Sequence, residues 1–239
     1  MKRFITSLLI ALLIIICFPQ TNAFSVDYTD LQNINAQIAD AEYRMNAAHD
    51  MAEAARSLGY EEQHHVINLA QEEYGKAEEE YNRYLIMKEQ MEKQWKEKET
   101  EYPTATYIWI YLKNIGYNDY VAAGILGNIM TEVGGNTLNI QETASNNYYY
   151  GMCQWSKTYS EVWGSSLEYQ CDYLLRTIEY ELNTFGYAYK NGFNYEKFIN
   201  ITNEKEAAKV FAVCYERCDS KSHKLRQTNA KIAYDYFTK

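Results

Sequence analysis

Residues 121–135 read VAAGILGNIMTEVGG, and this run sets the character of the second half of the chain. It is largely apolar, and the small residues Ala123, Gly124 and Gly127 would let neighbouring backbone approach closely. Such a run predicts a buried helix rather than an amphipathic one. Asn118 stands where an N-terminal cap is needed, so we expect the helix to cover Asp119 to Thr131 or slightly more.

The run carries a single carboxylate, Glu132, near its C-terminal end. The helix dipole disfavours negative charge there and apolar neighbours would desolvate it, so both effects are expected to raise the pKa of this carboxyl. A glutamate that stays protonated near neutral pH can act as a general acid on a glycosidic oxygen. The alternative is a helix-end glutamate that simply faces water, and the spacing does not separate the two.

The rest of this half also predicts helices, with one long interruption. Residues 134–155 are polar and rich in glycine, asparagine and aromatic side chains, which predicts an irregular loop or small hairpin. An irregular segment of that length inside a helical domain is often functional. Capping residues and apolar spacing predict the other helices at 106–115, from Ser166 to about Asn183, from Thr202 to Cys214 and at about 224–237.

The first half has a different pattern, in which apolar residues recur at alternating gaps of three and four. This is the seam of a coiled coil. Gly59 is placed as a helix C-terminal cap between two such series, and Pro103 marks the end of the second. The pattern predicts an antiparallel helical hairpin over residues 28–101. The two series are Leu31, Ile34, Ile38, Ala41, Met45, Ala48, Ala52 and Ala55, then Ile67, Ala70, Tyr74, Ala77, Tyr81, Tyr84, Met91 and Trp95.

The acidity of the chain is concentrated in this hairpin. Residues 24–101 hold 18 acidic and 8 basic side chains, whereas residues 102–239 hold 14 and 13, and the net charge of the chain is −9. This balance argues against a nucleic-acid binder, which needs clustered Lys and Arg to neutralise phosphates. For the hairpin we expect a spacer or dimerisation arm, or a docking arm for a secretion or conjugation apparatus.

The N-terminus has the layout of an export signal. Lys2 and Arg3 precede an apolar run, Leu8 to Phe18, which is shorter than a comfortable bilayer span, and Ala23 offers a small residue for cleavage. We therefore expect a signal peptide over residues 1–23 and a secreted or cell-envelope protein that starts near Phe24. The alternative is an uncleaved membrane anchor.

Cleavage would remove Cys17 and leave four cysteines, all in the second half: Cys153, Cys171, Cys214 and Cys218. An even number in an exported domain predicts two disulfides, with three connectivities open. Their spacing is not that of a zinc site, and no glycine-rich phosphate loop is present. We therefore expect no metal or other cofactor.

Four segments of residues 104–239, in order along the chain, resemble the phage tail lysozyme domain of the lysozyme-like superfamily. Residues 122–135 look like its catalytic-helix motif. The segment 150-YGMCQW-155 is similar to its Gly-x-x-Gln-Trp segment, residues 166–174 to its next helix, and residues 211–217 to its aromatic-Glu-Arg motif. The chain is accordingly expected to be mainly α, with the hairpin followed by a lysozyme-like domain of helices and a small β element.

The resemblance implies an enzyme that cleaves the bond between N-acetylmuramic acid and N-acetylglucosamine in peptidoglycan glycan strands. Glu132 matches the catalytic acid, and Gln154 and Trp155 would line the sugar cleft. Tyr150 and the two tyrosines before it could stack on sugar faces. Trp155 could equally belong to the core.

The type of reaction stays open. A hydrolase needs a second carboxylate, and Glu142 is the one acidic residue in the loop, so it is the candidate for water activation. A lytic transglycosylase needs none, because a hydroxyl of the sugar itself attacks. Glu216 and Arg217 are expected to form an internal ion pair that supports the cleft without entering the chemistry.

The chain departs from the family at two cysteines. Cys218 stands where proline often follows the Glu-Arg pair, and Cys153 lies inside the Gln-Trp motif. If those motifs flank one cleft, the resemblance suggests a Cys153–Cys218 disulfide, which leaves Cys171 to pair with Cys214. Two other functions are open: a non-catalytic wall-binding or assembly protein that keeps the cleft, and an adaptor whose functional surface is the hairpin.

Overall fold

The structure is a computed structural model that describes residues 28–61 and 64–239. The expected signal peptide lies outside the described residues. Helix α1, Tyr28–Ser57, and helix α2, His65–Glu101, pack along each other as the hairpin that the heptad pattern predicts. Gly59 takes a left-handed conformation (φ 83°) just past the end of α1. In the described part of the chain, no helix is at once long and apolar enough to cross a membrane.

The seam of the hairpin is built from small side chains on α1 and from larger ones on α2. The tyrosines of the α2 seam are half-buried, and Arg44 of α1 forms an ion pair with Glu80 of α2 beside them. The predicted seam is confirmed, since its fully buried members are Ile34, Ala41, Ala48, Ala52, Ala55, Ile67, Ala70, Ala77, Met91 and Trp95.

The base of the hairpin packs directly on the second half of the chain. Helix α3, Pro103–Asn114, starts just after α2, with Pro103 at its first position. Trp95 of α2 stacks on Phe237 near the end of the chain, with 6.2 Å between the ring centres. The Lys98 ammonium donates to the carbonyl oxygen of Tyr236 at 2.8 Å. The hairpin and the second half therefore share one hydrophobic core.

The second half is a bundle of helices with one small β-ribbon, as expected from the sequence. Strands β1 and β2 are antiparallel, with Tyr150 opposite Trp155. The elements after α3 are α4 (Asp119–Val133), β1 (Tyr149–Tyr150), β2 (Trp155–Ser156), α5 (Leu167–Tyr189), α6 (Tyr195–Ile199), α7 (Glu204–Phe211), a π-helical turn (Ala212–Glu216), a 3-10 turn (Ser220–Ser222) and α8 (His223–Thr238).

Helix α4 lies at the centre of this bundle, and residues 121–130 are all buried. The Asn118 side chain accepts the backbone N–H of Val121 at 3.0 Å, which confirms the predicted cap. A Cβ added to Gly124 would lie 2.5 Å from the Cβ of Ala207 in α7, and one added to Gly127 would lie 2.3 Å from a backbone nitrogen in α8. The glycines therefore allow α7 and α8 to contact the α4 backbone.

The boundaries of three helices differ from the sequence expectation. The helix expected at 106–115 begins earlier, at Pro103, and ends at Asn114. Helix α5 continues to Tyr189. The carbonyl oxygen of Phe193 lies 2.2 Å from where a Cβ on Gly186 would be, so glycine allows the chain after the helix to pack back on it. The helix expected from Thr202 begins at Glu204, because the Asn203 side chain accepts the N–H of Glu206 and caps it. The short helix α6 was not predicted.

Candidate active site

Glu132 lies at the end of α4, where the buried helix reaches solvent. Its side chain is 22% exposed, and its Oε1 accepts a hydrogen bond from Nη2 of Arg226 in α8, whose own side chain is only 4% exposed. Arg226 Nη1 also donates to Oδ1 of Asn128 at 3.0 Å, and its Nε donates to the Ser222 hydroxyl at 3.3 Å. A guanidinium fixed in this way orients the carboxylate and supplies its counter-charge.

The amide of Asn128 ties this group to the interior. Asn128 is fully buried, and its Nδ2 donates to the carbonyl oxygens of Gly124 at 2.8 Å and Ala208 at 3.0 Å. Its Oδ1 is therefore presented to Arg226 in one orientation. One turn further along α4, Thr131 accepts a hydrogen bond from Asn229 of α8. The Glu132 carboxylate is positioned by two helices that are held together by buried polar contacts.

A second carboxyl group lies beside this ion pair. Glu216 ends the π-helical turn, and its Oε1 is buried without a hydrogen-bond partner among the described residues. The Cys153 thiol lies beside this carboxyl group and lines the same cleft. Burial, and after it the negative charge of Glu132, raise the pKa of Glu216 to about 8 against the opposing charge of Arg226. Glu216 therefore holds a proton at neutral pH.

Glu216 also lines a cleft of about 250 Å³, which we call the aromatic cleft. The polar side chain of Gln154 and the ion pair of Glu181 with Arg217 complete its lining. Aromatic faces beside polar groups suit the alternating apolar and hydroxyl faces of a sugar. The aromatic walls are formed by Tyr149, Trp155, Tyr159, Tyr173 and Tyr215.

Trp155 is both a core residue and a wall of the aromatic cleft. It is 7% exposed, and its Nε1 donates to the Tyr215 hydroxyl at 3.2 Å. That hydroxyl in turn lies 2.9 Å from the hydroxyl of Thr177. The indole ring meets Tyr173 edge-on. The remaining exposed edge of Trp155 is thus held rigidly at the cleft.

Gln154 shapes the loop as well as lining the aromatic cleft. Its backbone is left-handed (φ 48°), and its Nε2 donates to the carbonyl oxygens of Ala144 at 3.0 Å and Gly151 at 2.9 Å. The amide nitrogen is therefore used to close the loop. The amide oxygen is the part of Gln154 that is left to accept a hydrogen bond from a sugar hydroxyl.

The three tyrosines before Gly151 divide between interior and surface. Tyr150, the one predicted to bind substrate, is 8% exposed, and its hydroxyl donates to the carbonyl oxygen of Ser165. Tyr148 and Tyr149 are 73% and 47% exposed. Of the three, Tyr149 lines the aromatic cleft, so the structure places it where the sequence suggested Tyr150.

Glu142 lies in a different cleft from Glu216. Its Oε2 accepts from the Thr104 hydroxyl at 2.8 Å, and its backbone carbonyl oxygen accepts from Gln170. Together with Tyr107 and Tyr111 it lines a space of about 480 Å³ at the base of the hairpin. Glu142 therefore does not line the cleft that Glu216 lines.

The expected ion pair between Glu216 and Arg217 does not form. Arg217 is left-handed (φ 49°) at the end of the π-helical turn, and this conformation sends its side chain outward. Its guanidinium bonds Oε2 of Glu181 at 2.5 Å and lies over the ring of Phe185. The Glu216 side chain points inward, so it and the Arg217 side chain make no ion pair although the two residues are adjacent in the sequence.

The expected disulfides are not formed either, and all four cysteines are free thiols. Cys214 contacts the backbone of Tyr189 at one end of α5, whereas Cys171 lies near the other end. The 18 residues between Cys171 and Tyr189 span about 27 Å of helix, which is far beyond the reach of a disulfide. Burial raises the pKa of the Cys153 thiol, and Cys218 accepts from the Ser222 hydroxyl.

A glycosidase requires a positioned carboxyl group and a cleft whose aromatic walls can bind a sugar. Together with a helical bundle that presents a glutamate at the end of its central helix, these are the features expected of the lysozyme-like class of glycosidases.

The family is shown by a direct comparison. The family model of phage tail lysozyme matches residues 103–237, which is more than half of the chain, so the chain belongs to that family and is a lysozyme-like enzyme that cleaves peptidoglycan. No curated protein matches it. Residues 28–101, the hairpin, lie outside the match.

The sequence reasoning missed Arg226, which is the direct partner of Glu132. A signal for it was present in α8. One face of that helix carries Asn229, Ala230, Ala233 and Phe237, all of them buried, and Arg226 lies on the same face. A charged residue within an otherwise small and apolar stripe is expected to have a buried partner of opposite charge.

Proposed function

We propose that the enzyme cleaves the bond between N-acetylmuramic acid and N-acetylglucosamine, with Glu132 as the general acid that protonates the leaving oxygen. The observation that carries this proposal is the position of Glu132 at the solvent-exposed end of the buried helix α4, where Arg226 holds its carboxylate. Glu132 is partly exposed, so its carboxyl group is accessible to a substrate. The family membership supports the same substrate.

The proposal covers two reaction types, which differ in the group that attacks the sugar. In a hydrolase, a carboxylate activates water. In a lytic transglycosylase, a hydroxyl of the muramic acid attacks and leaves an anhydro end. Glu142, the residue that the sequence suggested for water activation, would have to act from the other cleft, so its contacts favour a role outside the reaction.

The proposed place of action is outside the cytoplasm, after cleavage of residues 1–23. This rests on the charged, apolar and small-residue pattern of the leader. The hairpin would then present the enzyme to a secretion or conjugation apparatus. A chain with the leader, expressed in a bacterium, is expected to be recovered from the envelope or medium with Phe24 at its N-terminus.

The test is an analysis of the products. The chain from Phe24 is incubated with purified peptidoglycan, and the soluble fragments are identified by mass spectrometry. Glu132→Gln is expected to lower fragment release by about 10²–10⁴-fold, the usual contribution of a general acid. The matched control is Glu196→Gln, which makes the same substitution at an exposed residue on α6, far from the chemistry.

Each outcome separates the candidate functions. Fragments with reducing-end muramic acid would establish a hydrolase, and fragments lighter by one water would establish a transglycosylase. Full activity of Glu132→Gln would refute its role as the acid. If the parent chain binds peptidoglycan but releases no fragments, the protein is a non-catalytic wall-binding protein.

A further inference from the structure

The outer face of α5 carries a row of tyrosines that starts at the aromatic cleft. Tyr173, Tyr180 and Tyr187 follow one another at intervals of seven residues. Seven residues make almost two full turns of an α-helix, so the three side chains leave α5 on nearly the same side, about 10.5 Å apart along its axis. We call this row the tyrosine stripe.

The first tyrosine of the stripe belongs to the aromatic cleft, and the other two lie in solvent. Tyr173 is 6% exposed and lines the cleft, where its ring meets Trp155 edge-on. Tyr180 and Tyr187 are 67% and 69% exposed. The stripe therefore continues the aromatic lining of the cleft along the surface of α5.

The packing of α5 does not explain the exposed rings of the stripe. The helix is anchored by its opposite face, which includes the buried side chains of Ile178 and Leu182. A large apolar surface left in water marks a place where another molecule can bind. Among the large apolar side chains of residues 103–239, only Tyr148 is more exposed than the two outer tyrosines of the stripe, and it precedes Tyr149 of the cleft lining.

The surface between the two exposed rings is polar and uncharged. Asn183 and Thr184 are both exposed there, and their amide and hydroxyl groups can hydrogen-bond to sugar hydroxyls. A tyrosine ring can stack on the apolar face of a sugar while its own hydroxyl stays in water. In an extended glycan strand the same sugar face recurs once per disaccharide, and the axial step of the stripe is close to the length of that unit.

We propose that the tyrosine stripe binds an extended glycan strand, which runs out of the aromatic cleft along α5 and stacks every second sugar on a tyrosine. The stacked sugars are N-acetylglucosamine, because N-acetylmuramic acid carries the bulky peptide. This inference rests on the glycan substrate of the proposed function. It adds a contact with the polymer outside the cleft.

The test is co-sedimentation with insoluble peptidoglycan, which measures binding without cleavage. The chain from Phe24 carries Glu132→Gln so that the polymer stays intact, and it is compared with the same chain that also carries Tyr180→Ala and Tyr187→Ala. Loss of both stacking contacts is expected to raise the apparent Kd about tenfold. Circular dichroism and the melting temperature should not change, because both rings are exposed.

Two controls separate stacking from other effects of the substitutions. Tyr43→Ala removes a tyrosine that is 72% exposed on α1, and it should leave the Kd unchanged. Tyr180→Phe together with Tyr187→Phe keeps both rings and should bind within a few-fold of the Glu132→Gln chain.

Two outcomes would overturn the proposal. One is a double alanine variant that sediments like the Glu132→Gln chain, which would leave the stripe to another occupant such as a partner protein. The other is an equal loss of binding in Tyr43→Ala, since binding would then follow the number of exposed aromatic rings and not their position.

A second measurement follows fragment release with Glu132 intact. Tyr180→Ala together with Tyr187→Ala is expected to raise the apparent KM for insoluble peptidoglycan about tenfold with little change in kcat, because the stripe binds the ground state and the transition state equally. A loss confined to kcat would contradict this role.

The two measurements keep the proposals separate. If the chain with Glu132 intact releases no fragments, the proposed function fails, and co-sedimentation still decides whether the stripe binds glycan. If that chain is active and the double alanine variant binds peptidoglycan as tightly as its parent, the stripe is refuted while the proposed function stands.

Discussion

The hairpin and the lysozyme-like domain are both helical, but they bury different kinds of side chain. The seam of the hairpin buries alanines and a few larger apolar residues, and its charged side chains lie outside. Among the residues that the structure describes, the buried polar side chains all follow Pro103, and they are Thr106, Asn128, Gln170, Glu204, Arg226 and Asn229.

The difference in buried polar side chains is what we expect between a structural hairpin and an enzymatic domain. A buried polar group costs free energy unless it is hydrogen-bonded, so a scaffold has no reason to contain many of them. In the second domain, Asn128 and Arg226 hold Glu132 directly. Gln170 accepts the N–H of Met152 and donates to the carbonyl oxygen of Glu142, which fixes the loop that carries the Gln-Trp motif.

The largest change in stability is expected from a substitution at the contact between α4 and α8. In Gly127→Val the added carbons would overlap the α8 backbone, since even a Cβ would lie 2.3 Å from the Ala230 nitrogen. The backbone cannot move without breaking the contacts of Arg226, so we expect a loss of about 3 kcal/mol or more in the free energy of unfolding. Urea unfolding followed by circular dichroism measures it. An unchanged midpoint would show that the two helices are not in contact in solution.

The second prediction concerns the pH dependence of the free energy of unfolding, which is expected to come from Glu216 in the second domain and not from the hairpin. The pKa of Glu216 is raised to about 8 in the folded chain, so between its ordinary value and pH 8 the folded form holds a proton that the unfolded form has released. The parent should therefore lose stability as the pH rises through this range, by up to about 1.4 kcal/mol per pH unit. Glu216→Gln removes this dependence.

The measurement is urea unfolding of the parent and of Glu216→Gln at pH 5, 6.5 and 8. The variant is expected to gain on the parent as the pH rises, and its advantage should be largest at pH 8. A difference between the two proteins that stays constant over the three pH values would mean that the Glu216 carboxyl is not buried in its neutral form.

The smallest effect is expected in the hairpin, at a glycine that has the opposite surroundings to Gly127. Gly75 lies inside α2, and a Cβ added there would meet no atom within 4 Å. Gly75→Ala is expected to stabilise the chain by about 0.5–1 kcal/mol, because alanine loses less backbone entropy in a helix. The midpoint of thermal unfolding measures it, and a destabilised variant would indicate that this face of α2 is covered in solution.

The sequence predicted the secondary structure best in the segments where a single pattern of apolar residues dominates. The hairpin follows from the heptad pattern, because small and apolar residues at that spacing have a single stable arrangement. The central helix α4 follows from its unbroken apolar run and from the Asn118 cap. Both features have strong signals in a single continuous stretch of sequence.

The site was harder to predict because its contacts join distant residues. Arg226 lies 94 positions after Glu132, and nothing local to either residue indicates the other. Glu216 and Arg217 show the converse, since their opposite charges suggested an ion pair that the π-helical turn prevents. The disulfide pairing Cys171–Cys214 was wrong for a similar reason, because it depends on where along α5 each thiol lies.

The docking of α2 on the last residues of the chain bears on how the protein unfolds. The family match starts at residue 103, but the ring of Phe237 is stacked between Trp109, inside the match, and Trp95, eight residues before it. A fragment cut at Pro103 would leave one face of that aromatic stack in water. The part of the chain that folds cooperatively therefore starts before the domain that the family shares. We expect the lower part of the hairpin to unfold together with the enzymatic domain.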